Sequence, residues 1–170
     1  MKKIILSFLL VTSISYCQIS ENSIALSAGI TEKDGSGVLL NYNYKEKRSI
    51  YEAGVLYSRF KDTQYIAVDY NVITLQVGYL YDAFRNNRNS FNFSIGGGIS
   101  GSYESIENPN KIELKSKNGF FFGFYAVAQA ELYIIEKLSF LVRAQQNYSP
   151  NATTGAFNPY IGAGIKFNFN

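Results

Sequence analysis

The amino-acid sequence predicts an all-β fold: an eight-stranded antiparallel transmembrane β-barrel of the outer-membrane type. Three observations carry that expectation. Eight segments of about ten residues alternate apolar side chains with small or polar ones, the period of a strand with one greasy and one wet face. The connections between them alternate too, longer after segments 1, 3, 5 and 7 than after 2 and 6, as in a barrel with short turns at one rim and longer loops at the other. Charged residues make up 17 % of the 170-residue chain and aromatic ones 16 %; about a quarter charged is usual for a soluble domain. No stretch beyond the N-terminus is apolar enough for a transmembrane helix.

The N-terminus reads MKKIILSFLLVTSISYCQ. Lys2 and Lys3 precede an apolar run from Ile4 to Ile14, and Ser15 and Cys17 supply small residues at a cleavage position. Residues 1–17 are therefore expected to be a secretory signal peptide, with 18–170 a single barrel domain. A lipid-modified Cys17 would need a small residue before it, and Tyr16 is large. Cleavage after Cys17 removes the only cysteine, so no disulfide supports the fold. It also leaves 14 basic against 13 acidic residues, a balance that gives a nucleic-acid partner no support.

The strands follow in order. Ile24, Leu26, Ala28 and Ile30 share a face in 23–31. Val38, Leu40, Tyr42 and Tyr44 do so in 37–45, against Asn41, Asn43 and Lys45. Tyr51, Ala53, Val55 and Tyr57 form the third apolar face. The fourth segment changes phase: Val68, Tyr70 and Val72 lie in one register, then Ile73, Leu75, Val77, Tyr79 and Tyr81 in the other. Either a bulge lies near residue 72 or the membrane-depth part of the strand begins there. Phe91, Phe93, Ile95, Ile99 and Tyr103 mark the fifth strand; Phe120, Phe122, Phe124, Ala126, Ala128, Ala130 and Leu132 the sixth; Leu138, Phe140, Val142 and Ala144 the seventh. The last, FNPYIGAGIKFNFN (157–170), alternates from Phe157 to Phe169 and resembles the C-terminal assembly signal of outer-membrane barrels.

Alternation alone does not say which face points outward, and a soluble lipocalin-like barrel would turn the apolar face in. Three features favour lipid outside. The polar face is rich in Gly, Ser and Asn rather than Lys, Glu and Thr. An eight-stranded lumen is only wide enough for side chains to fill it, which suits Gly96, Gly98, Gly162 and Gly164. Aromatic residues such as Tyr44, Tyr57, Tyr81, Phe91, Tyr103 and Phe169 sit toward strand ends, like interfacial girdles. Closure also pairs every backbone donor, which lipid demands.

Chemistry is sparse. The chain has no histidine, which removes Ser–His and Cys–His nucleophiles, His general bases and most zinc sites; no enzyme and no cofactor is expected. Gly96, Gly98 and Gly101 spell G-x-G-x-x-G, but the alternation runs straight through, without the strand-to-helix turn a dinucleotide site needs. Glu52, Glu131, Arg143 and Lys166 lie on the polar face and are expected to form an internal charge network, because buried charges need partners. Glu131 and Arg143 should approach each other across the turn near 135–137. A gated ion or proton path is the sharper alternative; eight strands favour the plug.

SFNFSIGGGISGSYE (90–104), GFFFGFYAVAQAELYIIEKLSFLVRAQQNYS (119–149) and the C-terminal stretch together resemble the conjugative transposon protein TraO family of Bacteroidetes. The resemblance implies an outer-membrane part of a conjugal DNA transfer apparatus, reached after Sec export, touching lipid and other apparatus proteins. It implies no catalytic residues and no direct nucleic-acid binding. The competing readings are a stand-alone surface barrel whose external loops mediate adhesion or surface binding, and a soluble periplasmic lipid carrier.

Overall fold

The structure is a computed structural model that describes residues 20–32, 35–62, 68–86, 90–106, 119–150, 152 and 155–169. The expected signal peptide, residues 1–17, lies outside the described residues. Eight strands run in chain order: β1 (Ser20–Thr31), β2 (Ser36–Glu46), β3 (Ser49–Asp62), β4 (Val68–Arg85), β5 (Phe91–Ile106), β6 (Gly119–Ile135), β7 (Leu138–Tyr148) and β8 (Phe157–Phe169). Each pairs antiparallel with the next, and β8 pairs with β1, so the sheet closes into a barrel with no free edge.

Starting at Ser20 and stepping from neighbour to neighbour, the register passes Glu46, Ser49, Tyr81, Ile95, Ala128, Ala144 and Ile161. It returns to β1 at Ile30, ten residues further along. A stagger of that size tilts the strands by about 40° to the barrel axis and fixes a narrow interior. One rim carries the two chain ends, the two-residue turns Lys47–Arg48 and Glu136–Lys137, and the β4–β5 connection. The other rim carries the connections after β1, β3, β5 and β7, the longest of them residues 107–118. Lys47 takes φ 57°, the left-handed conformation that two-residue hairpins call for.

Side chains alternate between outside and inside along the strands, apart from the shifts at Asp82–Phe84 and Tyr133–Ile135. β2 and β7 show an unbroken exposed–buried repeat. The exposed set is apolar and large: Phe122 is 73 % exposed, Ile30 66 % and Leu75 60 %. The buried set is mostly polar, including Asn41, Asn43, Glu52, Gln76, Gln129, Arg143, Gln145 and Lys166. This is the inverse of a water-soluble barrel, and it answers the question that alternation left open: the apolar face is the outer one.

The phase change in β4 is not a bulge. The ladder from Val68 to Asp82 runs without a shift, and the irregularity falls between Asp82 and Phe84. Val72 is apolar because it points into the lumen, where it packs with Phe60 and Phe121. Leu39, Leu56 and Tyr160 form a second inward cluster, and Ile50, Leu80, Tyr125 and Val127 a third. The lumen is filled. A void of about 20 Å³, lined in part by Ser58, Thr74, Ser102 and Tyr160, has room for about one water. Small residues make that filling possible: a Cβ on Gly78 would overlap the Tyr125 hydroxyl, so this glycine is the notch into which the tyrosine ring fits.

Candidate functional site in the barrel lumen

The inward phase of the strands places four charged residues singled out by the sequence, and register decides how they pair. Arg143 on β7 and Glu52 on β3 stand four strands apart in the closed ring and meet across the lumen. The guanidinium donates from Nη2 to Glu52 Oε1 at 2.7 Å and from Nη1 to Oε2 at 2.8 Å, a two-pronged contact of the kind planar guanidinium and carboxylate groups favour. Both side chains are at most 1 % exposed. Tyr125 donates its hydroxyl to Glu52 Oε1 at 2.6 Å. Arg143 spends its remaining donors on Gln145 Oε1, from Nε at 3.0 Å and Nη2 at 2.8 Å, and on Gln129 Oε1 at 3.1 Å.

Glu131 pairs with Lys166, Nζ to Oε1 at 2.8 Å. Glu131 and Arg143 share the network without facing each other in register: Arg143 lies opposite Gln129 on β6, and Glu131 lies opposite Leu141 on β7. Gln129 stands between them, accepting from Arg143 and donating from Nε2 to Glu131 Oε1 at 2.6 Å. A neutral amide therefore joins the two ion pairs into one chain. It continues through Gln145 Nε2 to Gln76 Oε1 at 2.8 Å and to Asn147 Oδ1 at 2.7 Å.

Sequence reasoning did not single out a third charged group. Lys45 Nζ meets Asp82 Oδ2 at 2.8 Å, and Arg85 adds Nη2 at 2.9 Å and Nε at 3.2 Å to the same oxygen. Lys45 was legible as an inward residue from the alternation of β2. Asp82 follows the outward Tyr81 and so falls in the inward phase, but its partner lies two strands away, a distance that no local spacing reveals.

The arrangement pairs Lys45, Arg143 and Lys166 each with a carboxylate, while Asp82 Oδ1, Glu131 Oε2 and the Gln76 amide nitrogen are buried without a hydrogen-bond partner. Among the described residues, no group of three or more His, Cys, Asp or Glu side chains is placed to hold a metal ion.

A closed antiparallel barrel with an apolar outer wall and a filled polar lumen is the architecture of small outer-membrane β-barrels. Solved structures share it. The chain matches Neisserial surface protein A at 14 % identity with a TM-score of 0.62, covering 88 % of this chain and 96 % of that one. It matches a major outer membrane protein from Thermus thermophilus at 12 % identity and 0.68, covering 88 % and 99 %. It matches the attachment invasion locus protein Ail of Yersinia pestis at 11 % and 0.57, covering 88 % and 97 %. At these identities the likeness is one of fold. No curated protein matches the chain in sequence. The family model of the conjugative transposon protein TraO matches residues 18–169, the whole barrel, and the chain belongs to that family.

Proposed function

We propose that this protein is a non-catalytic, outer-membrane component of a conjugal DNA transfer apparatus. The observation that carries the reading is the family match, which spans the barrel from end to end. The fold supports the location: an apolar outer wall and closed backbone pairing suit a bilayer, and the expected signal peptide at residues 1–17 would bring the chain to the export pathway. In this orientation the two chain ends and the tight turns face the periplasm, and the four longer connections face outward. The charge network of Glu52, Glu131, Arg143 and Lys166 acts as structure, locking the wall rather than passing ions. A filled eight-stranded lumen leaves no passage for DNA. The protein therefore contributes to transfer by contact with lipid and with other apparatus proteins, through its rims or outer wall, and binds no nucleic acid itself.

The test is conjugation frequency from a donor carrying a clean deletion of the gene. Transfer is expected to collapse and to return on complementation with the wild-type gene. Complementation should also succeed with a variant whose residues 107–118 are replaced by a short neutral linker if the contacts lie at the periplasmic rim, and fail if they lie in that loop. Unchanged transfer in the deletion strain would sink the apparatus reading and leave a stand-alone surface barrel, whose loops should then be assayed for adhesion.

A further inference from the structure

The aromatic residues of the rim that carries the chain ends are divided by kind. Across β2, β3 and β4 as far as Tyr81 they are tyrosines, and from Phe84 at the end of β4 onward they are phenylalanines. Tyr44 lies opposite Tyr51, and Tyr51 opposite Tyr79, in one row across three strands. The first pair is stacked at 6.3 Å and the second meets edge to face at 5.6 Å. Tyr81 sits in the next row, opposite Ser49, and Ser49 Oγ lies 3.0 Å from the Tyr79 hydroxyl. Elsewhere on the same rim the outward aromatics are phenylalanines, with Phe84 against Phe91 and Phe167 against Phe169.

The two hairpin turns of this rim differ in charge, and Arg85 adds a cation beside Phe84. The turn below the tyrosines is Lys47–Arg48, two exposed cations side by side, whereas the turn between β6 and β7 is Glu136–Lys137. Arg48 Nη1 donates to the Tyr81 hydroxyl at 3.4 Å, which holds the guanidinium against the outer wall. Of the carboxylates around this turn, Asp82 is already taken by Lys45 and Arg85, and Glu46, half-buried at the end of β2, is next to Lys47 in the chain. Above the tyrosine row, an apolar concavity of about 800 Å³ follows the outer wall from Ile24 on β1 to Phe122 and Phe124 on β6, passing Leu40, Val55 and Leu75 of β2–β4 on the way. The three features stack in the order of a phospholipid: cations at headgroup level, phenol hydroxyls at the interface, and an apolar trough along the acyl region.

We propose that the β2–β4 face is a binding site for an acidic glycerophospholipid of the periplasmic leaflet, its phosphate held by Lys47, Arg48 and the Tyr81 hydroxyl and its chains lying in the trough above. The inference rests on the barrel lying in a membrane and not on its part in DNA transfer.

Native mass spectrometry of the full-length mature protein, released from outer membranes in a neutral detergent, tests it. Phosphatidylglycerol is titrated against phosphatidylcholine. The expected result is retention of phosphatidylglycerol several-fold above phosphatidylcholine. That preference should be lost in the Arg48→Ala/Tyr81→Phe double variant and kept in Lys137→Ala, the control at the opposite turn. Fold is checked for each variant by the different gel mobility of unboiled and boiled samples. Millimolar inorganic phosphate should leave the adduct in place, because the chains supply part of the affinity. Equal retention of the two lipids, equal loss in Lys137→Ala, or displacement by inorganic phosphate would each overturn the proposal, the last by showing a free-anion site.

Discussion

Toward the chain ends, the lumen holds Lys45, Asp82, Glu131, Lys166, Glu52 and Arg143, joined by amides. Toward the longer connections it holds Phe60, Val72 and Phe121, with the hydroxyls of Ser58, Thr74 and Ser102 nearby and a buried carboxylate, Glu104, opposite Val72. Both halves fill the same narrow space, yet they constrain the chain differently. Three of its ion pairs join strands that are not neighbours, β3 with β7, β6 with β8 and β2 with β4, and the Arg85–Asp82 pair lies within β4. A slip of one residue in any of these strands would turn a charge toward the apolar outside. The charged half therefore acts as a check on register all the way round the barrel. The aromatic half tolerates a change of rotamer or of size, because dispersion contacts are not directional.

The sharpest break in that comparison is Arg143→Ala. It leaves Glu52 buried with only Tyr125 and weak amide contacts, and removing one member of a buried pair costs about 3–5 kcal/mol. The unfolding midpoint in urea, followed by loss of the folded gel band, should fall accordingly. The paired variant Arg143→Met with Glu52→Gln should recover much of the loss, since it removes both charges together. Phe60→Ala comes next, at about 3 kcal/mol for the lost ring and the cavity it leaves. Unlike the arginine variant, it should be repaired in part by enlarging a facing residue, for example Val72→Leu. If Phe60→Ala proves costlier than Arg143→Ala, the aromatic half is the one that holds the barrel closed.

The difference between the halves also explains what could be read from the sequence. Every strand was legible because the outward phase is continuous: a side chain facing an apolar medium must itself be apolar, so the period of two survives from Ile24 to Phe169. Glu52, Glu131, Arg143 and Lys166 were legible for the converse reason, as charges in the inward phase. The pairing of those charges was not. Glu131 and Arg143 flank one short turn, but the register shift between Tyr133 and Ile135 and the inward direction of both chains put Gln129 between them. The aromatic plug was hidden as well. Val72 reads as part of an apolar face with Val68 and Tyr70, and Phe121, although alternation puts it in the inward phase of β6, is an apolar residue in a phase that is mostly small or polar.

Two smaller changes sharpen the account of the charged half. Tyr125→Phe deletes the 2.6 Å donation to Glu52 and leaves the ring in its notch against Gly78. One hydrogen bond to a charged acceptor is worth about 1.5–3 kcal/mol, and here Arg143 still occupies both carboxylate oxygens, so the low end is expected. Lys45→Ala should cost less, about 1 kcal/mol, although Lys45 is also buried, if slightly less so than Lys166 and Arg143. Asp82 keeps two contacts from Arg85 after the lysine is lost. The Arg85 side chain is 39 % exposed, so it can follow the carboxylate at little cost, and water screens what remains. Lys166→Ala is the comparison that gives this its force: the charge on Glu131 would be left with the Gln129 amide alone at hydrogen-bond distance. A larger loss of stability for Lys166→Ala than for Lys45→Ala, measured in the same urea series, would locate the strain in the sealed part of the network. Equal losses would mean that Arg85 does not hold Asp82 when Lys45 is gone, and that the rim pair is as tightly built as the inner one.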